Sequence, residues 1–388
     1  MRVLSLFSGI GAFEKALENL GVSYELVNYC EIDKYASKAY SLIHNVSESK
    51  NLKDVREVKA NKLKDLDLIT YGFPCQDISL AGNQKGFTDE NGNTTRSGLF
   101  FEALRIIDKT RPKIAIAENV KALVSQKFDT EFKVVLGSLN RLGYNNYFQV
   151  LNAKDYGIPQ NRDRVFIVSI RQDIDKGFTF PEKQELGLTM ADLLEDNVGE
   201  DYFLTEKVLN SFLNHKKRHQ ERGNGFKFEP RDGSGVATTI LTTAGSRPTD
   251  NFIMVNNATK KGYVEAHIGD LHNLQYANSK TRRGRVNSSV ANTLLCNDQN
   301  GVVTNNLRIR KLTPKECFRL MGFEDKDIDI LVANNISRTQ LFKMAGNSIV
   351  VNVVYHIFKE LKRMYPDLFA ISKKDVNQVS IDDVLEEV

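Results

Sequence analysis

Cysteine is scarce in this chain and never paired: Cys30, Cys75, Cys296 and Cys317 are the only four in 388 residues, and no two stand at Cys-x-x-Cys spacing. So wide a separation argues against a disulfide framework and against a structural zinc site, and it suits a reducing compartment. The cytoplasm is therefore the expected location, and no metal is expected. Long apolar runs are missing too, so the reading has no membrane-spanning segment. The opening run from Val3 to Phe13 superficially resembles a secretory leader, but Gly9 and Gly11 interrupt it and Glu14 and Lys15 follow at once. It is read as the start of a fold. Strong net charge is also lacking, with 53 Lys/Arg against 49 Asp/Glu and a balance of +4. The exception is local. Residues 205–310 hold 16 Lys/Arg and 8 Asp/Glu, and the tail 371–388 is acidic. A basic middle in a near-neutral chain points to one polyanion-facing surface, and disorder is expected of the tail.

At this length the chain has room for one large and one smaller domain. Residues 2–7 read as a buried strand, and Phe13, Ala16, Leu17 and Leu20 follow at helical spacing. Between them lies Phe7-Ser8-Gly9-Ile10-Gly11. A strand, a tight glycine turn and a helix open a nucleotide-binding βαβ unit, and Glu31 ends the second strand (25–30) about 20 residues on, where a carboxylate can hold ribose hydroxyls. The loop has Gly-x-Gly without a third glycine, so it is Glu31 that turns the reading toward an adenosyl cofactor. Asp54, near a probable third strand or turn, could accept from an adenine amine.

A further strand, 66–71, leads into Gly72-Phe73-Pro74-Cys75-Gln76. Cys75 should sit past the carboxyl end of a parallel strand, where open α/β sheets bind ligands, on a corner stiffened by Pro74. Residues 77–96, rich in Gly, Asn, Asp and Thr, read as a long loop able to close over Cys75. A helix carrying Leu99, Phe100, Ala103, Ile106 and Ile107 follows. Next comes a strand (113–117) that ends in Glu118-Asn119-Val120, then a helix marked by Phe128, Phe132, Val135, Leu136, Leu139 and Leu142. Two strands (144–151 and 165–170) flank a turn with Arg162 and Arg164, which could reach one anion together. From about residue 180 the apolar runs shorten, as in a loop-rich β domain. There the segments 236–242 and 290–296 echo each other, and 216–218 and Arg282-Arg283-Gly284-Arg285 suit phosphate contacts. His215 and His219 read as a surface helix and not as metal ligands. Thr313, Pro314 and Glu316 cap a helix that Gly322 ends. Gly346-Asn347-Ser348 precedes a last helix whose apolar stripe (Ile349, Val350, Val353, Val354, Ile357, Leu361, Met364) needs a large partner, for which the first domain's sheet is the candidate.

Taken in order, Phe7-Ser8-Gly9-Ile10-Gly11, Pro74-Cys75-Gln76, Glu118-Asn119-Val120, Gln160-x-Arg162-x-Arg164, residues 310–323 and Gly346-Asn347-Ser348 resemble the successive motifs of DNA (cytosine-5)-methyltransferases of bacterial or phage type. The resemblance implies an α/β fold: a Rossmann-like methyltransferase sheet with a second, smaller loop-rich β domain. It places a catalytic and cofactor-binding domain at 1–179, a target-recognition domain at 180–305, late motifs at 306–370 with 346–365 returning to the first domain, and the acidic tail at 371–388. It implies S-adenosylmethionine, with Phe7 against adenine, Gly9 and Gly11 at the methionine carboxylate, Glu31 on ribose, Asp54 on the adenine amine, and Pro74, Asn347 and Ser348 completing the pocket. Cys75 matches the nucleophile, Glu118 the acid at ring nitrogen 3 and Arg164 the residue holding the base near its carbonyl, while Arg162 supports substrate or loop positioning. Gln76, Ser79, Thr293, Arg282, Arg283 and Arg285 are the implied DNA contacts. The implied partner is double-stranded DNA with a flipped cytosine. The protein is expected as a monomer, and the setting as protection of host or phage DNA, with or without a cognate restriction endonuclease.

Two rivals share the fold: a tRNA cytosine-5 methyltransferase, and a relative that binds DNA without chemistry. Retention of Cys75, Glu118, Arg162 and Arg164 weighs against the second, and the long segment after residue 180 weighs against the first. An oxidoreductase would leave the thiol and carboxylate unexplained. The Asp/Asn-Pro-Pro-Tyr type motif of amino-nitrogen methyltransferases is missing.

Overall fold

Six strands form the central sheet of the computed structural model, in the order β2-β1-β3-β4-β7-β5. The structure describes residues 1–74, 97–188, 191–193, 195, 199, 202, 271–273, 286–287, 291–292, 300–303 and 309–370. Strands β1 (Arg2–Leu6), β2 (Glu25–Cys30), β3 (Leu68–Tyr71) and β4 (Ile114–Val120) are mutually parallel, whereas β7 (Asp163–Arg171) runs antiparallel to β4; β5 is Tyr144–Asn152 and β6 is Gln160–Asn161. Buried on both faces, β3 reads as a near-continuous apolar run, and its Thr70 hydroxyl bonds Ser5 on β1.

Helices α1 (Ala12–Asn19), α2 (Lys34–Ile43), α3 (Phe100–Thr110) and α4 (Asp129–Arg141) connect the strands. On α3 the side chains of Phe100, Ala103, Ile106 and Ile107 are fully buried, so burial of each large one contributes about 2–3 kcal/mol. Phe73, just beyond β3, packs between Tyr71, stacked at 6.4 Å, and Phe100, tilted at 5.5 Å.

Contacts divide the chain into two units: Met1–Leu151 and Asp163–Glu182 with the chain from Val353 onward, and Asn152–Arg162 with Lys183–Asn352. The segment 152–162, expected with the catalytic domain, and the late motifs up to Asn352 thus group together. The reason is visible in the bonds: Gln160 Nε2 donates to Leu320 O at 2.6 Å, and Arg162 Nη2 donates to Gly346 O at 3.0 Å and Ser348 O at 2.7 Å. The described strands of the second unit are β8 (Leu271–Asn273), β9 (Val286–Asn287), β10 (Ala291–Asn292), β11 (Asn300–Val303) and β12 (Ile309–Lys311), in a four-stranded sheet β12-β11-β8-β9 and a pair β10-β6. Three helices accompany them: α5 (Pro314–Arg319), α6 (Asp325–Ala333) and α7 (Arg338–Asn347). The capping box at Thr313 and Glu316 forms as expected, and Gly322 (φ +80°) has Asn352 Oδ1 only 2.5 Å from where a Cβ would stand. A side chain there would adopt a strained backbone conformation and push aside the Asn352 amide at the start of α8 (Val351–Met364).

The last helix corrects one expectation. Residues 338–364 have the length and apolarity of a membrane span, which the sequence reading had denied to every stretch. They form two helices broken at Ser348, and Val351, Val353, Val354, Ile357, Phe358 and Leu361 are buried, the signature of a core helix. The partner of α8 in the first unit includes α1: the Phe13 and Phe358 rings meet edge to face at 6.3 Å. A short helix, α9 (Pro366–Phe369), closes the described chain.

Candidate active site

At the carboxyl end of β1 the chain turns through three residues of positive φ, Phe7 (+53°), Gly9 (+56°) and Gly11 (+81°), before α1 begins. For Phe7 this conformation costs about 1–2 kcal/mol, so the turn must be held by its surroundings. It is. Ser8 N bonds Cys30 O at 3.1 Å, Gly11 N bonds Ser8 O at 2.9 Å, and Gly9 N donates to Glu31 Oε2 at 2.9 Å. Among the described residues nothing lies within 4 Å of a Cβ built at Gly9, so the loop is open there to close approach. Phe7 is half-buried against the main core.

Glu31 follows β2 directly. Its other oxygen accepts from Asp33 N at 2.8 Å, and Asn51 brackets its main chain from both sides, donating to Glu31 O at 2.9 Å and accepting from Glu31 N at 3.0 Å. Burial pushes the Glu31 carboxyl above the usual range against the pull of these N–H donors. Each carboxylate oxygen has a second lone pair, so hydroxyl donors can still be accepted. Ile32 beside it is 71% exposed, an apolar face at the sheet edge that the sequence reading missed. Only its unusual exposure marks it. Asp54 caps a one-turn 3-10 helix, not a strand, and Arg56 chelates its carboxylate and holds it below the usual range. The segment before it runs beside β2, where Leu52 N bonds Tyr29 O and Cys30 Sγ donates to Lys53 O.

Glu118 lies near the carboxyl end of β4, where pairing with β7 extends to Val120. In that register Glu118 faces Phe166 and Val120 faces Arg164, so Glu118 and Arg164 are diagonal neighbours on one face. Arg164 Nε stands 3.0 Å from Glu118 Oε1, both side chains mostly buried. Between them in sequence, Asn119 is buried and donates its Nδ2 to Phe73 O at 3.1 Å, which ties β4 to the strand end two residues before Cys75. Pro74 is half-buried. Cys75, Gln76 and Ser79, with Arg282, Arg283, Arg285 and Thr293, lie outside the described residues, as do the 77–96 loop, the 236–242 echo, His215 and His219.

The two arginines do not converge on one anion. Arg162 is 3% exposed and turns inward to the Gly346 and Ser348 carbonyls, whereas Arg164 meets Glu118. A guanidinium with rigid, forked donors is suited to bridging two carbonyls. Arg162 thereby sets the turn that contains Asn347 and Ser348, both in the second unit. Among the described residues no cluster of His, Cys, Asp or Glu could hold a metal ion.

The family model for C-5 cytosine-specific DNA methylase matches residues 1–363. The chain belongs to this family. Among its curated relatives, the orphan methyltransferase M.SPRI of Bacillus phage SPR is 34% identical, the alignment covering 94% of this chain and 98% of the relative. The type II methyltransferase M.HhaI of Haemophilus parahaemolyticus is 32% identical over 92% and 93%. Solved structures agree at the level of fold: a DNMT2 variant from Spodoptera frugiperda superposes with a TM-score of 0.60 at 18% identity, covering 93% of this chain and 99% of that one. A putative DNA modification methyltransferase encoded in an Escherichia coli prophage gives 0.56 at 17%, covering 94% and 99%. The protein is thus a DNA (cytosine-5)-methyltransferase with a Rossmann-like fold, and its family uses S-adenosylmethionine. The tRNA reading, to which the DNMT2 likeness lends only a fold, is less well supported than the DNA one.

Proposed function

We propose that this methylase acts on a cytosine flipped out of double-stranded DNA at one short sequence, through a covalent bond from Cys75 to ring carbon 6. The observation that carries the reading is the Glu118–Arg164 pair on β4 and β7, with Asn119 tying that strand end to Phe73. It supports a carboxyl group and a thiol working on the same ring. Carbon 5 of cytosine is a poor nucleophile. A Cys75 thiolate added at carbon 6 turns the ring into an enamine, while Glu118 donates to nitrogen 3, where charge accumulates. Arg164 orients Glu118 and stands near the carbonyl side of the base. Loss of the carbon 5 proton and departure of the Cys75 sulfur then restore the aromatic ring.

The turn at 7–11 fits the cofactor: its amides are held at an open strand end, Gly9 leaves room for close approach, and Glu31 lies at the adjoining strand. S-adenosylmethionine bound there would supply an electrophilic methyl group. Gly9 and Gly11 with the start of α1 would receive its carboxylate, Glu31 its ribose, and Phe7 and Ile32 would offer apolar surface to adenine. Asp54 would accept from the adenine amine, and Asn347, Ser348 and Pro74 would complete the enclosure. DNA phosphates would be met by the basic segment that includes Arg282, Arg283 and Arg285, and the base neighbourhood by Gln76, Ser79 and Thr293. We read the protein as a monomer protecting phage or host DNA, with or without a partner endonuclease.

Bisulfite sequencing of DNA from cells expressing the chain, beside a Cys75→Ala control, tests this. Modified cytosines at one motif, present only with Cys75, are the expected result. Unmodified DNA with soluble protein, and cytosine methylation found in tRNA instead, would overturn it.

A further inference from the structure

We propose that His44 is a positioning residue for the 7–11 turn, holding it as a doubly protonated imidazolium through the carbonyl of Ile10. The inference rests on the reading of that turn as the cofactor loop. His44 ends α2, and its imidazole is 1% exposed. Nε2 lies 3.0 Å from Ile10 O and Nδ1 lies 2.7 Å from Glu18 Oε1. A carbonyl and a carboxylate only accept, so both ring nitrogens must donate. A neutral imidazole, with one N–H, would have to give up one of the two bonds.

The placement makes the ring more than a core histidine. A Cβ at Gly11 would come 2.0 Å from His44 Nε2 and 2.9 Å from Tyr40 Cε2, so the imidazole is the floor on which the Ile10-Gly11 turn rests. Glu31 holds the loop at Gly9 and His44 holds it at Ile10. With these two bonds in place the strained turn is set before a ligand arrives, which lowers the cost of binding. Loss of the Ile10 bond would free a turn whose Phe7 is already in an unfavourable conformation.

The groups facing His44 support its charge. Glu14 and Glu18 come from α1 and Tyr40 from α2 itself, while Lys15 and Tyr24 act on Glu18. Burial pushes the Glu14 carboxyl upward. Burial acts the same way on Glu18, but its bond and charge interaction with His44, with help from Tyr24, hold it below the usual range, so Glu18 is the counter-ion. Burial also keeps the Tyr24 and Tyr40 hydroxyls neutral. Burial alone would lower the histidine pKa; Glu18, Glu14 and the Ile10 carbonyl raise it overall. With one proton left, the ring keeps it on Nδ1 against the Glu18 carboxylate, the stronger acceptor, and gives up the Ile10 bond, so cofactor affinity should be full below this raised pKa and fall as the pH rises through it.

The test is S-adenosylmethionine binding by calorimetry from pH 6 to 9.5 on the full chain, with His44→Asn, His44→Gln and Glu31→Ala. Glutamine can place an N–H where Nε2 stands, whereas asparagine reaches only as far as Nδ1. His44→Asn should weaken binding about tenfold at pH 7, the loss of one charged hydrogen bond, and appear in KM and not in kcat. His44→Gln should stay within about threefold of wild type and lose the pH dependence. Nitrogen-15 shifts of His44 in the wild type should be those of an imidazolium at pH 7, a readout that needs no variant to fold. Equal behaviour of the two His44 variants, or a neutral ring at pH 7, would overturn the proposal. Glu31→Ala separates the layers: wild-type affinity there would bring down the cofactor-loop reading itself, whereas dependence on Glu31 with indifference to His44 would overturn only the role of His44.

Discussion

Glu31 and Glu118 occupy comparable places, one just past β2 and one near the end of β4, yet their surroundings differ in kind. Both oxygens of Glu31 accept main-chain N–H groups, from Gly9 and Asp33, so this carboxylate shapes the backbone. Glu118 instead meets a side chain, Arg164, at 3.0 Å across two strands. A carboxylate bonded to rigid amides is fixed with its loop. One bonded to a guanidinium has its charge balanced but its partner can be exchanged when a substrate enters. The comparison separates a residue that builds a cradle from one suited to chemistry.

Substitution should break the two in different observables. Glu118→Gln should lower kcat by about 10²–10⁴-fold, the range for losing a general acid, with S-adenosylmethionine affinity intact; a fall in affinity without a fall in kcat would erase the distinction. Glu31→Ala should instead weaken cofactor binding by about 10–100-fold, one or two charge-assisted hydrogen bonds, and lower the thermal midpoint. Arg162→Met, which strands the Gly346 and Ser348 carbonyls, should destabilise by about 2–3 kcal/mol in denaturant unfolding. Were it to cut kcat in a fully folded protein, Arg162 would join Glu118 in the chemistry. Thr313→Ala removes one half of the α5 capping box and should cost about 1 kcal/mol. Lys121→Ala, one strand end away from Glu118, breaks an exposed pair with Asp163 and should change stability by less than about 0.5 kcal/mol.

How legible these features were in the sequence follows the same division. Features set by neighbours in the chain could be read directly: the glycine turn after β1, the second strand at 25–30, the capping box at Thr313 and the glycine at 322 all depend on residues a few positions apart. The ordered motifs made the family legible as well. What escaped was set by partners far along the chain. Strand β4 continues through Glu118 to Val120, beyond the apolar run that ends at Ala117, through a pairing with β7, about 50 residues on, that is invisible locally. Arg162 was expected to reach an anion beside Arg164 because the carbonyls it meets lie more than 180 residues away. His44 carried no motif, and the buried clash at Gly11 that gives it meaning exists only after folding. Helices α6 and α7 went unread because they are short and their buried faces are only partly apolar: Asp327 shares the α6 stripe with Ile328 and Leu331, and Gly346 shares that of α7 with Leu341 and Met344.

The central claim is that chemistry passes through a bond between Cys75 and the target ring, with Glu118 beside it. Fluorine at carbon 5 cannot leave as a proton does, so a duplex carrying 5-fluorocytosine at the methylated position should arrest the reaction after methyl transfer. The account predicts a denaturant-resistant protein–DNA adduct that requires S-adenosylmethionine, forms much more slowly with Glu118→Gln, and is absent with Cys75→Ala. An active enzyme that methylates the ordinary duplex but leaves no adduct on the fluorinated one would contradict it.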